Sequence, residues 1–568
     1  MRRVSRRLVV PGLLAALALL GLIVVPGSAR TPTRVSPQYL EHVSQSVALR
    51  YWLAHPDQAP DRIRKTLSAI EQTQKSPAAR HVNSCTNSAN KDVYNCDIFG
   101  LPQNEESITS CPTNTNFVLG GTNDYRGLID PEGNFTGWHW SIDGGHSIQN
   151  EGLLPPVALT KIASPHAVPS GGDPVDFIPA GCNSVYAASL AYDPNDPFGQ
   201  PNGLGLYMST PEILSTCQPF LPSGSTNPAC WPNRSAVAQT EAGNFIDKPW
   251  MFVGAGFVWA TYSDFVIDES APLGYSSASI KAVRCSLDLQ TCTEPIQIST
   301  IDQDVQFSDV TVGPDNRAYV TWARIEGELN PGEFPEGQVF TIKIRTETAP
   351  GSGVFGPEHV VQVVPNAIPF GGFIHANDFR VATYPKSDVV MVNGHPRIFV
   401  TYDECLTRLF GSICEEPQIK LTFSDNDGVT WSDPIILSKG GDNYFPTISA
   451  DRSYTTNNLA VAWYTNQFDL NFHNQQDVIA VGVNPLSGQP QGQKRLTTSS
   501  NETEADPLLG GLFIGDYFEA ALYQNRFFVH YNANYRKVPL LGGFANEPNQ
   551  PVIPVPQQDN YLAITGIQ

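Results

Sequence analysis

The sequence predicts an all-β fold: a β-propeller of seven four-stranded blades (six is the alternative count), preceded by a short helical N-terminal segment. Two observations carry this reading. First, one unit recurs: an acidic or Pro-containing pair, an apolar strand, a turn, and a returning strand that ends in aromatics. Its markers Asp173, Asp247, Asp309, Asp378, Pro446 and Asp516 are separated by 74, 62, 69, 68 and 70 residues. An earlier unit is implied near Phe117, where Phe-Val-Leu-Gly-Gly reads as a returning strand. Second, a short Ser-x-Asp-x-Gly turn, with Asn in place of Asp in the second copy, sits in the second half of two units. A repeat of this size with strand-like halves means stacked β modules, and four strands per module around an axis make a propeller. The alternation of Ala318, Val320 and Trp322, and of Phe527, Val529 and Tyr531, marks half-buried strands. Six blades would result if the first and last units completed one another.

The N-terminus reads as a targeting segment. Arg2, Arg3, Arg6 and Arg7 precede an apolar stretch from Leu8 to Val25, and Gly27-Ser28-Ala29 offers small residues for cleavage after Ala29. Residues 1–29 are therefore expected to be a signal peptide, with an uncleaved anchor as the alternative. Ser5-Arg6-Arg7 also faintly resembles a twin-arginine signal. Residues 30–104 form a helical leader and linker. Ser36 before Pro37 is an N-cap followed by proline at the first helical position. Leu40, Val43 and Val47 share one face, as do Ile63, Leu67 and Ile70, and His55-Pro56 and Ala59-Pro60 break the run into two helices. The leader is expected to pack on the main domain, a removable pro-segment being the alternative. The propeller occupies residues 105–568.

Ten cysteines, all from Cys85 onward, fit an exported chain. Close spacing pairs Cys85 with Cys96, Cys217 with Cys230, Cys285 with Cys292, and Cys405 with Cys414; Cys111 and Cys182 remain and pair by elimination. None has Cys-x-x-Cys spacing, so zinc and redox roles are not expected. The net charge of −20 argues against nucleic acid as a partner. No stretch after the signal is long and apolar enough to span a bilayer. The expected protein is a secreted or cell-surface monomer without a cofactor or metal, meeting an extracellular glycan or protein.

The turns point further. Ser141-Ile142-Asp143-Gly144-Gly145-His146-Ser147 follows Trp138 and Trp140, and Ser424-Asp425-Asn426-Asp427-Gly428-Val429-Thr430-Trp431 follows Leu421 and Phe423. In such a turn Asp or Asn accepts backbone N–H groups, and Gly takes a positive φ. An EF-hand reading of the second turn fails, because Phe423 and Pro434 stand where oxygen ligands belong. Ser209, Ser286 and Thr346 occupy similar places in decayed copies, and Cys285 and Cys292 flank the copy that has lost its glycine. Both intact turns resemble the Asp box of bacterial neuraminidase repeats. Gly515-Asp516-Tyr517, Asp247-Lys248-Pro249-Trp250 and Asn534-Tyr535-Arg536 similarly resemble blades of secreted sialidase-like proteins. The resemblance spans roughly residues 105–568 and rests on repeat architecture more than on identity.

Strand order then places the chemistry. The start of a first strand and the end of the antiparallel second strand share a rim. Asp247, Lys248, Asp516 and Tyr517 begin first strands; Asp124, Arg126, Asp264, Tyr535 and Arg536 end second strands. The Asp-box residues Ser141, Asp143, Gly145, Ser424, Asn426, Gly428 and Trp431 fall on the opposite rim with structural duties. The resemblance implies an arginine triad for a sugar carboxylate, a Tyr nucleophile activated by Glu, and an acidic Asp. The matching residues are Arg126, Arg380 and Arg536 as the triad, Tyr517 and Glu519 as the nucleophile pair, and Asp124 as the acid, with Asp247, Lys248 and Asp516 as further ligand contacts. The Arg-Ile-Pro motif of that family is absent. Two functions therefore stand: an exo-α-sialidase-like glycoside hydrolase acting on extracellular glycans, or a non-catalytic propeller binding polysaccharide or protein. The residue-level alternative is that these charges clasp neighbouring blades.

Overall fold

The computed structural model describes residues 35–61, 63–64, 66–68, 70, 94, 101–301, 304–327, 339–375, 377–409, 413–509, 511–539 and 554–567. The expected signal peptide (1–29) and the Cys85–Cys96 pair lie outside the described residues.

Seven antiparallel sheets follow one another along the chain, spanning 103–153, 175–240, 244–297, 305–364, 386–436, 443–495 and 519–566. The first six each carry a four-stranded meander, to which Asn501–Glu502 adds a short fifth strand in the sixth; the seventh has three strands among the described residues. The first strand of each sheet lies beside the first strand of the next, and Glu519–Tyr523 of the seventh returns to Gln103–Cys111 of the first. The result is a closed ring, a seven-bladed β-propeller. Blade 1 supplies all four of its own strands, so the first and last units do not complete one another. Radial repetition leaves each blade only short edges, the inner one facing the neighbouring first strands.

The recurring unit has a structural cause. Pairing of the first two strands is interrupted between Asn104 and Ser107, Asp247 and Trp250, Gln306 and Asp309, and Tyr444 and Thr447. At these bulges Glu105, Lys248, Phe307 and Phe445 have positive φ, at 56°, 50°, 59° and 50°. Asp173 (φ 55°) and Gly515 (φ 104°) take the same place ahead of blades 2 and 7. A bulge re-aims one side chain and bends the strand, here toward the axis. Proline follows in Asp173-Pro174, Lys248-Pro249 and Phe445-Pro446, where it has no N–H to leave unpaired. Blade 5 departs from the expected phase. Asp378 precedes its first strand, Lys386–Val392, and lies exposed in the connection from blade 4. That connection carries its own small sheet, in which Phe373–Ile374 pairs parallel with Ile413–Glu415 next to Cys405–Cys414.

Blades pack through aromatic faces, with Trp138, Trp140, Trp231, Trp259, Trp322 and Trp463 fully buried. The turns between third and fourth strands share one hydrogen-bond plan. Ser141 Oγ donates to Asp143 Oδ1 (2.8 Å) and accepts from Gly145 N (3.0 Å), while Asp143 accepts from Ser147 N (2.9 Å). Ser424, Asn426, Gly428 and Thr430 repeat it, and Trp431 Nε1 donates to the Gly428 carbonyl (2.8 Å). In blade 3, inside the Cys285–Cys292 bridge, Gln290 stands where the glycine belongs, and Leu289 takes the positive φ that Asp427 takes in blade 5, each at 59°. Cys111–Cys182, Cys217–Cys230 and Cys405–Cys414 are also bonded, and no described cysteine is free.

The leader begins as its sequence suggests. Helix α1 (Pro37–His42) has Ser36 at its N-cap, whose side chain accepts from Tyr39 N (3.1 Å). Helix α2 (Gln45–Ala54) ends at His55, and helical backbone resumes at Asp61. The break at Val43-Ser44, between α1 and α2, has no sequence signal of its own. Tyr39, Leu40, Val43, Val47, Leu49, Tyr51 and Trp52 are all buried in the propeller's core. No helix among the described residues is long and apolar enough to cross a membrane.

Two outcomes follow from these turns. Gly428→Ala is expected to cost about 1–3 kcal/mol, because φ is +84° and the new Cβ would sit 2.8 Å from Ile344 Cγ2; a lowered urea midpoint checks this. Peptide mapping without reduction should recover Cys285–Cys292 and Cys405–Cys414 as linked peptides, and free thiols there would refute an oxidised protein.

Candidate functional site

The bulges deliver charge to the axis. Glu105 comes from blade 1, Asp173 from the approach to blade 2, Asp247 and Lys248 from blade 3, and Asp516 from the approach to blade 7. Arg380 enters from the connection before blade 5. All six are buried. Lys248 Nζ bonds Asp516 and lies 3.7 Å from Glu105 and 3.8 Å from Asp173. Arg380 grips both Asp516 oxygens through Nε (2.8 Å) and a terminal nitrogen. Asp516 N donates to Glu105, whose other oxygen accepts from Asn123 Nδ2 (2.6 Å).

Removing these charges from water favours their neutral forms, and the partners decide the outcome. Burial pulls Lys248 down, but Asp516, Asp173 and Glu105 outweigh it and hold the ammonium above its ordinary range. Burial likewise raises Asp516, yet Arg380 and Lys248 prevail and hold it low. Glu105 goes the other way: burial and then Asp173 push it well up. Burial also lifts Asp247 to about 7, against Lys248. Asp516 is thus the anion that two cations share.

The leader closes this centre. Ser44 stands at the N-cap of α2, yet its hydroxyl does not cap the helix. It donates to Asp173 and accepts from Lys248 Nζ (2.9 Å), while Ser44 N donates to Asp247 (2.9 Å). Arg380 also donates to the carbonyls of Glu41 (3.2 Å) and Val43 (3.0 Å). Tyr39 packs on Phe198, Phe265 and Tyr275, and His42 stacks on Phe370. The α1–α2 corner therefore lies across the axial mouth and touches several blades at once.

A second axial layer holds Lys386, whose ammonium lies 2.7 Å from the Trp250 ring centroid and 3.8 Å from Asp309. Burial pushes it down to about 7, with Asp309 opposing. A cavity of about 20 Å³ opens among Trp250, Asp309, Lys386, Arg452 and Glu519, room for one water and no more.

The expected triad does not converge: its three arginines hold four different carboxylates. Arg126 is fully buried and binds Asp124 and Glu151 (2.9 Å). Arg380 binds Asp516, and the half-buried Arg536 binds Asp559 (3.3 Å). Tyr517 OH donates to the Pro174 carbonyl (3.1 Å). Burial, then Glu105 and Asp173, holds its phenol well above the ordinary range, the reverse of nucleophile activation. Glu519 shares a strand side with Tyr517 but pairs with Arg452 (2.7 Å) and accepts from Ile108 N (3.1 Å). Asp124 spends its oxygens on Arg126 and on Gln103 Nε2 (3.2 Å). Asp264 pairs with Lys281. Asp247, Lys248 and Asp516 do come together, joined by Glu105, Asp173 and Ser44, which sequence reasoning did not place in a site. The pre-proline position of Asp173, matching that of Lys248, was the available signal; Ser44 carried none.

No protein family and no curated sequence matches this chain. Among solved structures it resembles a Dyadobacter fermentans protein of unknown function (10% identity, 73% of this chain and 98% of that one, TM-score 0.41). It also resembles an α-L-arabinofuranosidase of Fusarium graminearum in complex with an iminosugar inhibitor (12%, 84% and 98%, 0.40). A third is the Trypanosoma rangeli sialidase in complex with the inhibitor DANA (9%, 72% and 57%, 0.38). At these scores the likeness carries no functional argument.

Two predictions follow from the buried charges. Arg126→Met leaves Asp124 and Glu151 without their cation, and is expected to cost about 3–5 kcal/mol; thermal unfolding measures it. The second concerns pH. Burial lifts Asp176 to about 8, the Ser107 hydroxyl opposing and Glu519 adding to the rise, against about 3.9 unfolded. The folded state keeps a proton that the unfolded chain has released, so this group's stabilisation is full below about pH 4 and is lost as pH rises through about 8. The urea midpoint should therefore fall between about pH 5 and pH 7, and Asp176→Asn should make that fall shallower.

Proposed function

We propose that this protein is an extracytoplasmic propeller that binds glycan on the leader-bearing face and does not cleave it by sialidase chemistry. The observation that supports the reading is that the groups sialidase chemistry would need are engaged within the chain. A sialic-acid site needs guanidinium groups free to meet a carboxylate; here Arg126, Arg380 and Arg536 each already hold a different one. It needs a phenol next to a base; Tyr517 meets a backbone carbonyl, and Glu519 meets Arg452. The α1–α2 corner fills the mouth through which a sugar would reach them. The four disulfides fit an oxidising compartment, as does the targeting segment read from the sequence.

Binding rather than turnover is what the geometry favours, because the loops of every blade still meet on the leader face around the sealed centre. The test is a pair of assays on the full-length protein. Fluorogenic sialosides and arabinofuranosides are expected to show no turnover above buffer, while a glycan array shows retained binding. Turnover that disappears in Tyr517→Phe would overturn the non-catalytic reading. A blank array would overturn the glycan.

A further inference from the structure

The axial mouth is sealed, but beside it a crevice of about 400 Å³ opens between α2 and the loops that follow the second strands of blades 1 and 2. That volume lies within the range of small-molecule sites, roughly 300–1,000 Å³. Two buried charges line it. Arg50 is 6% exposed and Asp130 is 7% exposed. Arg50 reaches from α2, donates to the carbonyls of Gly133 (2.8 Å) and Gly127 (3.4 Å), and lies over the Phe135 ring. Asp130 Oδ2 accepts from Asn134 N (2.8 Å), Asn134 Nδ2 (3.1 Å) and Glu132 N (3.1 Å). Each charge keeps one polar atom without a hydrogen-bond partner among the described residues: Arg50 Nε and Asp130 Oδ1.

A buried donor and a buried acceptor left unmade each cost about 1–3 kcal/mol, more when charged. The two share a cavity, yet are joined by no ion pair. Leu53, Leu128, Pro131 and Pro194 supply apolar wall around them. A group able to satisfy both must donate to the carboxylate and accept from the guanidinium, which one hydroxyl does. An anion would face Asp130 and the neighbouring Glu132; a cation would face Arg50. We propose that this crevice binds a neutral polyhydroxylated ligand, a sugar ring of an extracellular glycan, with its hydroxyls between Arg50 and Asp130 and its C–H face on the leucine and proline wall. The proposal rests on the glycan-binding reading above and assigns that reading a site and a ligand class.

The experiment uses the full-length protein, titrated by calorimetry with short linear gluco-, manno- and arabino-oligosaccharides, and with a sialylated oligosaccharide as the anionic control. Ala54 is exposed and lines the crevice, so Ala54→Trp obstructs it without touching a polar group. The wild type is expected to bind at least one neutral oligosaccharide, and Ala54→Trp and Asp130→Asn each to weaken that binding by about tenfold or more, Ala54→Trp with an unchanged melting temperature. If Asp130→Asn fails to fold, Ala54→Trp decides alone. Binding that survives Ala54→Trp means a crevice that holds only water; it overturns this proposal and leaves the glycan-binding function standing. Tighter binding of the sialylated oligosaccharide than of any neutral one overturns the ligand class. No binding by the wild type overturns both.

Discussion

The carboxylate of Asp516, held between Lys248 and Arg380, is the interaction on which the centre of this molecule depends. A seven-bladed ring leaves an axis where first strands converge, and apolar side chains alone would have to fill an irregular well. Here charge fills it. Lys248 is wholly buried and would be costly there without its carboxylates. Asp516 ties blade 7 to blade 3 and, through Arg380, to the connection before blade 5. Glu105, bonded by Asp516 N, adds blade 1. Isolated buried ion pairs are poor stabilisers, but a network in which each member has several partners resists the loss of any one and specifies a single arrangement of blades.

The leader belongs to that network and not only to the surface. Ser44 gives up helix capping to stand between Asp173 and Lys248, and the carbonyls of Glu41 and Val43 complete the guanidinium of Arg380. The apolar side of the same segment covers Phe198, Phe265, Tyr275 and Phe370. Without it the propeller would present an aromatic patch around a half-satisfied charge cluster. The bulges make the arrangement possible: each spends an unusual φ to turn a side chain from the sheet face to the axis.

Much of this architecture was legible in the sequence, because it rests on local rules. The Ser36 cap, the Ser141 and Ser424 turns and the close cysteine pairs are each decided within about ten residues. The ring followed from the repeat. Blade 5 slipped phase because the long connection before it carries an acidic residue, Asp378, that imitates the blade-opening marker. The site was harder to read for a physical reason. Sequence shows that Arg126 and Arg536 lie near strand ends and Arg380 near a blade marker, but not which carboxylate each meets, and that pairing separates a binding arginine from a clasp. Ser44 is the extreme case: its partners lie 129, 203 and 204 residues away, and nothing in its neighbourhood announces them.

Those separations also set an order of events. Lys248 waits 268 residues for Asp516, and Arg380 waits 136. The leader is the first described part of the chain to be made, yet its partners at the axis are not all present until blade 7 has been synthesised. Contacts this distant in sequence make for slow assembly. Until the last blade arrives, Ser44 and the aromatic side of α1 have no complete surface to dock on, and the leader remains an unattached end. A chain of this design has little to hold its centre closed while its later blades are still missing. Its keystone is set only when the whole of it is present, on whichever side of a membrane it then folds.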